Sequence, residues 1–387
     1  MNRLTTSWGA FELARFPEDP RDTLRAWDAA DEYLLRHLHG IDGAAPVALT
    51  GSVAVVGDRW GALVTSLAGH HPVVQITDSY LGQQATRANL MRSGIDAGAV
   101  RLLSVRDTPP ERVDVLLVRV PKSLALLEDQ LHRLAPAVHA DTVVVGTGMV
   151  SEIHTSTLKL FERILGPTRT SLAAKKARLI FCTPDAGLPR VPSPWPLRYE
   201  LPPDTGATLA GRTVTNHAGI FCAERLDIGT RFFLRHLPTG RGAEHVVDLG
   251  CGNGVVGTAA ALADPEVRVT FTDESFSAVA SAEATFRDNV PAGKAEFVVG
   301  DGLSALADGS ADLVLNNPPF HSHRATTDTT ARRMFTDARR VLRPGGELWV
   351  VGNRHLGYHV RLRRLFGNCD VVAGDPKFVV LRAVRGR

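Results

Sequence analysis

Asn317, Pro318, Pro319 and Phe320 are the residues whose types and spacing most directly imply chemistry. They follow DLVLN, an apolar run that reads as a strand. Two consecutive prolines, each with a fixed φ and no N–H, stiffen the loop at the strand end. Such a loop suits a site that must aim acceptors at a planar aromatic amine. That nitrogen is a poor nucleophile, because its lone pair is delocalised into the ring. If the Asn317 side-chain oxygen and the Pro318 carbonyl both accept its hydrogens, the nitrogen pyramidalises and presents its lone pair to an electrophile held in line. Phe320 offers a flat face for the target base, and stacking of this kind is worth about 1–3 kcal/mol. A base inside a duplex would first have to flip out. The plain structural alternative is an Asx-Pro turn beside a core phenylalanine.

The electrophile is suggested further upstream. DLGCGNG (248–254) follows the strand-like run His245–Leu249 and precedes a helix of small residues from Val255. Gly250, Gly252 and Gly254 permit a tight turn and let a ligand approach the backbone. A glycine-rich turn alone would serve a dinucleotide equally well. Three acids favour S-adenosylmethionine (SAM). Asp248 heads the motif and can accept from a methionine ammonium. Asp273 ends the next strand, RVTFTD, where it can accept both ribose hydroxyls. Asp301, in VVGDG, can receive the exocyclic amine of adenine. Cys251 within the turn and Asn316 before Asn317 belong to the same expected cofactor-binding set. Phe221 and the Leu226–Gly229 turn, in the segment 217–238, either close over the cofactor or belong to a helix that merely packs against the sheet. A dehydrogenase would also use Asp273, but no hydride-transfer machinery follows. No cysteine near Asn317 and no Lys-Asp-Lys-Glu set supports methylation at carbon 5 or at oxygen.

The elements that must position these residues read as β-α alternation. Strand-like runs occur at His245–Leu249, Arg268–Thr272, Ala295–Val299, Ala311–Leu315, Glu347–Val351 and Phe378–Ala383. Helical patterns lie at Ser277–Asn289, Thr330–Leu342 and Tyr358–Phe366. Short Val- and Leu-rich runs separated by helices predict a parallel sheet covered on both faces. The segment 183–215 holds seven prolines and reads as a linker without regular helix or central strand. It separates a first domain, 1–182, from a second, 216–387. The first half echoes the second: Asp78 with Asp273, Pro121 with Pro318, Thr142 with Leu348 and Lys176 with Lys377, at offsets of 195, 197, 206 and 201 residues. Near-constant offsets predict an internal duplication. The chemistry has diverged, because the first copy has VVGDRWG (55–61) for DLGCGNG and VRVPK (118–122) for NNPPF. It reads as a scaffold or RNA-holding domain.

DLGCGNG, LNNPPFH, ARRVLRPGGELWVVGNRHLGY and the ending KFVVLRAV together are similar to the ribosomal RNA guanine-N2 methyltransferase family. The small-subunit (16S) branch shares NPPFH, whereas GNRHLGY and FGNC (366–369) are more like the large-subunit (23S) type. The resemblance implies an α/β fold of two tandem Rossmann-like class I methyltransferase domains with a degenerate N-terminal copy. It implies SAM-dependent methylation of a guanine exocyclic amine in 23S ribosomal RNA. It carries over Asn317–Phe320 as catalytic and Gly250, Gly252, Gly254 and Asp273 as SAM-binding. A non-catalytic RNA-binding assembly factor need not retain both motifs. Protein glutamine methylation, whose enzymes use an NPPY-type loop, suits a duplicated, arginine-rich chain less well. DNA adenine methylation would call for a sequence-reading domain in place of the first half.

From Ala331 to Leu365 nine arginines face two acids, Asp337 and Glu347, a density suited to gripping phosphates. Arg332, Arg333, Arg354 and His355 are the expected RNA contacts, with weaker candidates at Arg87, Arg92, Lys175 and Lys176. Each arginine is also consistent with a solvated helix face. His321 and His323 read as loop residues or RNA contacts, and no metal site is expected. The chain has 387 residues, 44% hydrophobic and 22% charged, with a net charge of +3, which excludes a disordered tail protein. No run approaches the roughly 18 apolar residues of a bilayer span. The first twenty residues lack a signal-like apolar core. Four scattered cysteines read as reduced thiols. The expectation is a cytoplasmic monomer acting on ribosomal RNA, as naked RNA, a ribosomal subunit or an assembly intermediate, and not on a membrane.

Overall fold

The computed structural model describes residues 2–19, 22–41, 43, 45–238, 242–319 and 324–386. The chain forms two compact units, Met1–Trp195 and Pro196–Arg387.

In chain order the first unit contains the hairpin β1 (Arg3–Thr6) and β2 (Gly9–Glu12), then α1 (Ala29–Leu38), β3 (Val53–Val56), α2 (Ala62–Ala68), β4 (Val73–Thr77) and α3 (Tyr80–Arg92). There follow β5 (Val100–Ser104), β6 (Val113–Arg119), α4 (Leu124–Leu134), β7 (Val138–Met149), α5 (Thr155–Ile164), β8 (Thr168–Thr170) and β9 (Ala177–Cys182). Its seven-stranded sheet has the order β5-β4-β3-β6-β7-β9-β8.

The second unit opens with the hairpin β10 (Leu197–Glu200) and β11 (Thr213–Asn216), followed by α6 (Ile228–Leu234), β12 (His245–Leu249), α7 (Val255–Ala263), β13 (Arg268–Asp273) and α8 (Phe276–Asn289). It closes with β14 (Lys294–Val299), β15 (Ala311–Asn316), α9 (Arg324–Val341), β16 (Leu342–Asn353), α10 (Tyr358–Phe366), β17 (Asp370–Gly374) and β18 (Phe378–Val384). Its sheet order, β14-β13-β12-β15-β16-β18-β17, repeats the first.

Residues on the central strand β12 alternate between two cores, as period-two geometry requires. Val246 packs with Val256, Phe271 and Phe286, whereas Val247 and Leu249 pack with Phe335, Tyr358 and Leu362. Helices therefore cover both faces of the sheet, in agreement with the pattern in the sequence.

The sheet is not wholly parallel, contrary to the expectation. β16 pairs antiparallel with β18, and β18 antiparallel with β17. Only Asp375–Lys377 join β17 to β18, too few for a parallel crossover. Asp375 Oδ1 closes this turn by accepting from the Lys377 N–H at 2.7 Å and the Phe378 N–H at 2.5 Å.

The segment expected as a linker, 183–215, is only partly irregular. Its second part enters the β10–β11 hairpin, which avoids the proline restriction because Pro196 precedes β10 and Pro202 and Pro203 lie in the connecting loop. The hairpin is fastened to α8: the Thr215 N–H donates to Thr285 Oγ1 at 3.0 Å and Asn289 Nδ2 to the Thr213 carbonyl at 2.7 Å. Cys182 and Cys251 are buried, Cys222 and Cys369 half-buried, and none of the four is paired. Among the described residues no helix is long and apolar enough to cross a membrane.

Candidate functional site

In the second sheet the strand order reverses between β12 and β15, and crevices at such switch points receive ligands at the carboxyl ends of the strands. The ladder sets Leu249 opposite Asn316, so the glycine turn and Asn317 emerge side by side. The turn is tied to β13 by the N–H groups of Gly250 and Cys251, which donate to the Thr272 carbonyl at 2.8 and 3.0 Å. Gly254 caps α7 with φ +74°, and a Cβ there would lie 2.6 Å from Ala282 Cα. No other residue meets both demands without strain.

Asp273 closes the other side of the turn. Its Oδ2 accepts from the Gly252 N–H at 3.1 Å and its Oδ1 from the Ser275 N–H at 3.0 Å. Burial nonetheless pushes its carboxyl above the usual range. Asp248 is 3% exposed, and its Oδ2 accepts from the Gly257 N–H of α7 at 2.8 Å. Burial pushes it up to about 7, against that N–H. Asp248 thus braces α7 through its Oδ2.

Asn316 Nδ2 donates to the Leu249 carbonyl at 2.7 Å, and Asn317 Nδ2 donates to Thr230 Oγ1 at 2.9 Å. Among the described residues, the Oδ1 atoms of both asparagines are buried and have no partner. An unsatisfied buried acceptor costs about 1–3 kcal/mol, so two at one switch point indicate groups awaiting a donor. Left-handed glycines, a half-buried carboxylate at a strand end and paired free acceptors fit a nucleoside-bearing cofactor such as SAM.

Other expected residues have different surroundings. Both oxygens of Asp301 receive Arg333 Nη2, at 2.7 and 2.6 Å. Asp301 and Arg333 thus form a mutual ion pair, because α9 brings the arginine alongside. Burial raises the Cys251 thiol well above its ordinary pKa, which leaves it unreactive. Pro318 is buried and Pro319 exposed. Phe221 is 58% exposed. Arg332 and His355 are exposed, as is Arg354, whose Nη1 donates to the Asp375 carbonyl at 3.0 Å. Phe320, His321 and His323 lie outside the described residues.

The corresponding crevice of the first unit is built differently. Gly57 and Gly61, at φ +75° and +79°, stand where the second unit has Gly250 and Gly254. A Cβ on Gly61 would lie 2.6 Å from Thr86 Cα, the same approach to the next helix. The β3–β6 register matches β12–β15, which puts Arg59 at the place of Gly252 and Arg119 at that of Asn317. Thr77, and not Asp78, falls where Asp273 stands, one position away from the expected echo.

Arg119 is 0% exposed. It donates to Asp28 Oδ2 at 2.7 Å and Glu152 Oε2 at 2.8 Å, and its Nε lies 3.3 Å from Asp31 Oδ1. Arg59 reaches Glu152 Oε1 at 2.5 Å and Asp28 Oδ2 at 3.4 Å. Burial pushes Asp31 up to about 7 against the pull of Arg119. Glu152 is also raised by burial, but the two guanidiniums outweigh this and hold it down to about 2. The protein's own charges thus occupy the first crevice. Spacing alone gave no sign of this cluster, because its members are scattered from residue 28 to residue 152.

Two family models match the chain, the RLMG N-terminal domain over residues 1–186 and the methyltransferase small domain over residues 211–382. Proteins called ribosomal RNA large subunit methyltransferase G are similar along the whole length. The one from Streptomyces griseus is 74% identical over 100% of both chains. That from Pseudomonas aeruginosa is 47% identical over 99% of this chain and 100% of its own. Among solved structures, a T. thermophilus 16S rRNA N2 methyltransferase in complex with AdoMet and guanosine shares the fold, with a TM-score of 0.74 at 22% identity, covering 99% of this chain and 97% of that one.

Gly254→Ala is expected to strain the turn by about 1–3 kcal/mol and to weaken SAM binding measured by calorimetry. Unchanged affinity and melting temperature would show that the turn yields freely. Arg119→Ala leaves three carboxylates short of a cation and should destabilise the first unit by about 3–5 kcal/mol, read as lost hydrogen-exchange protection in β3 and β6. Because Glu152 is depressed, its stabilisation is present above its ordinary 4.5 and is lost as pH falls through about 2, so Glu152→Gln should flatten that acid limb. A limb that keeps its steepness would assign the acid loss to other groups.

Proposed function

Because the chain belongs to the ribosomal RNA large subunit methyltransferase G family, we propose that it moves a methyl group from SAM to the exocyclic amine of a guanine in 23S ribosomal RNA. The observation that carries this reading is the free, buried Asn317 Oδ1 at the end of β15, beside the glycine turn. The cofactor supplies an electrophilic sulfonium methyl carbon. The chain's own residues do the rest by holding and aiming. The turn at Gly250–Gly254 leaves room for a ligand against the backbone, and Asp273 accepts ribose hydroxyls. Asn317 Oδ1 and the Pro318 carbonyl accept the two amine hydrogens, drawing the nitrogen lone pair out of conjugation. Phe320 stacks on the base. The N–C bond would form as the methyl–sulfur bond breaks, its electron pair staying on a neutral thioether, and the methylated nitrogen would pass one proton to solvent water.

Exposed Arg332, Arg354 and His355 suit phosphate contact near this unit. An rRNA substrate implies the cytoplasm. The repeated strand order and the paired glycines support an internal duplication, with a degenerate first domain over 1–182 and a catalytic domain over 216–387. The first copy exchanged its ligand for the Arg59–Arg119 cluster and serves as a scaffold or RNA-holding domain. A non-catalytic assembly factor is disfavoured, because free buried acceptors would bring such a protein only a loss of stability.

Asn317→Ala should lower methyl transfer into deproteinised large-subunit rRNA by about 10²–10³-fold or more, with SAM affinity nearly intact. Full activity would remove the amine-acceptor mechanism. Calorimetry should find a single SAM per chain, and a second site of similar affinity would contradict the filled first crevice.

A further inference from the structure

We propose that Thr230 is a positioning residue that determines which way round the Asn317 carboxamide lies. The inference rests on the reading of Asn317 Oδ1 as acceptor of the substrate amine. An asparagine carboxamide is nearly isosteric when turned by half a rotation, so packing alone does not choose between the two orientations. A polar chain that begins at a carboxylate makes the choice here.

Asp227 can only accept. Its Oδ2 takes the Thr230 N–H at 3.0 Å, which caps α6, and lies 3.4 Å from Thr230 Oγ1. The hydroxyl has one proton, and the carboxylate draws it. Only lone pairs of Oγ1 then remain for Asn317, so the amide must present its NH₂ there, and the Nδ2–Oγ1 distance is 2.9 Å. Oδ1 is left on the opposite side, buried and without a partner. In the reversed amide, NH₂ would face the NH₂ of the substrate, and a donor would be aimed at a donor.

The first unit offers an internal comparison. Asp28 caps α1 as Asp227 caps α6, and Asp31 stands three residues on, as Thr230 does. Asp31 Oδ1 lies 3.3 Å from Nε of Arg119, the residue at the place of Asn317. Both units therefore bring an oxygen from the helix's first turn close to the strand-end side chain, as a hydrogen bond to Asn317 in one and as an ion pair without a hydrogen bond to Nε in the other. A guanidinium has nothing but donors, whereas a carboxamide held by its nitrogen has an oxygen to spare. The same framework neutralises itself in one unit and leaves a reactive acceptor in the other.

Thr230→Val keeps the shape and removes the hydroxyl, and Thr230→Ser keeps the hydroxyl. With SAM affinity and KM for rRNA within about twofold of the parent, the valine variant should lose about 10–100-fold in kcat. The serine variant should recover to within about threefold of the parent rate. In an Asn317→Ala background, Thr230→Val should cost nothing further, since an acceptor that is gone cannot be misaimed. Should valine fold poorly, its SAM affinity would fall as well, and serine alone must then retain the parent rate. Parent-level kcat in a valine variant, or a serine variant that binds SAM normally but is as slow as valine, would overturn the proposal. If Asn317→Ala is inactive while Thr230→Val is fully active, only the positioning role fails. If Asn317→Ala is itself active, the reading of the site fails with it.

Discussion

Two amide oxygens, those of the consecutive residues Asn316 and Asn317 at the end of β15, are buried with no partner among the described residues. A folded chain ordinarily avoids this, because each such atom loses water without gaining a partner. Here their surroundings hold them in place. The Leu249 carbonyl takes one amide nitrogen and Thr230 takes the other, so neither side chain is released to turn its oxygen elsewhere. Beside them, the glycine turn is held by the bonds of Asp273 to the Gly252 and Ser275 N–H groups, and Asp248 accepts from the Gly257 N–H of α7. A site of this kind is rigid before any ligand arrives, which is what catalysis by oriented acceptors requires.

The first unit shows what the same topology becomes when that constraint is lifted. Arg59 and Arg119 enter where the second unit has glycine and asparagine, and Asp28, Asp31 and Glu152 gather around them. A buried arginine demands counter-charges, and breaking such a network is far more costly than forming it is beneficial. Two substitutions at the crevice thus commit the unit to an internal occupant. The glycines at 57 and 61 serve close backbone approaches, of Gly57 to the Arg119 carbonyl at the end of β6 and of Gly61 to Thr86 of α3, which the unit needs whatever fills its crevice.

Several residues were legible in the sequence by type but not by their partners inside the protein. Asp248 and Asp301 stand at strand ends, as expected. One braces α7 and the other is held by Arg333, partners that no spacing along the chain announced. Strand β17 escaped notice because it lies at the sheet edge, largely exposed, and carries no alternating pattern. The β10–β11 hairpin was hidden by prolines that fall just outside its ladder. Thr230 gave no sign, although the Leu226–Gly229 turn before it did, since a threonine three residues after an aspartate is an ordinary helix start.

By itself, the order of residues determined the α/β alternation, the central strands and the two segments that meet at the switch point. Those features rest on local periodicity and on glycine and proline stereochemistry, which neighbours in the chain dictate. Only the tertiary structure decided which polar atoms find partners. Asn317 meets Thr230 across 87 residues and Arg119 meets Asp28 across 91. A hydrogen bond depends on the distance and direction of two groups in space, and no spacing along the chain encodes that until the sheets have closed.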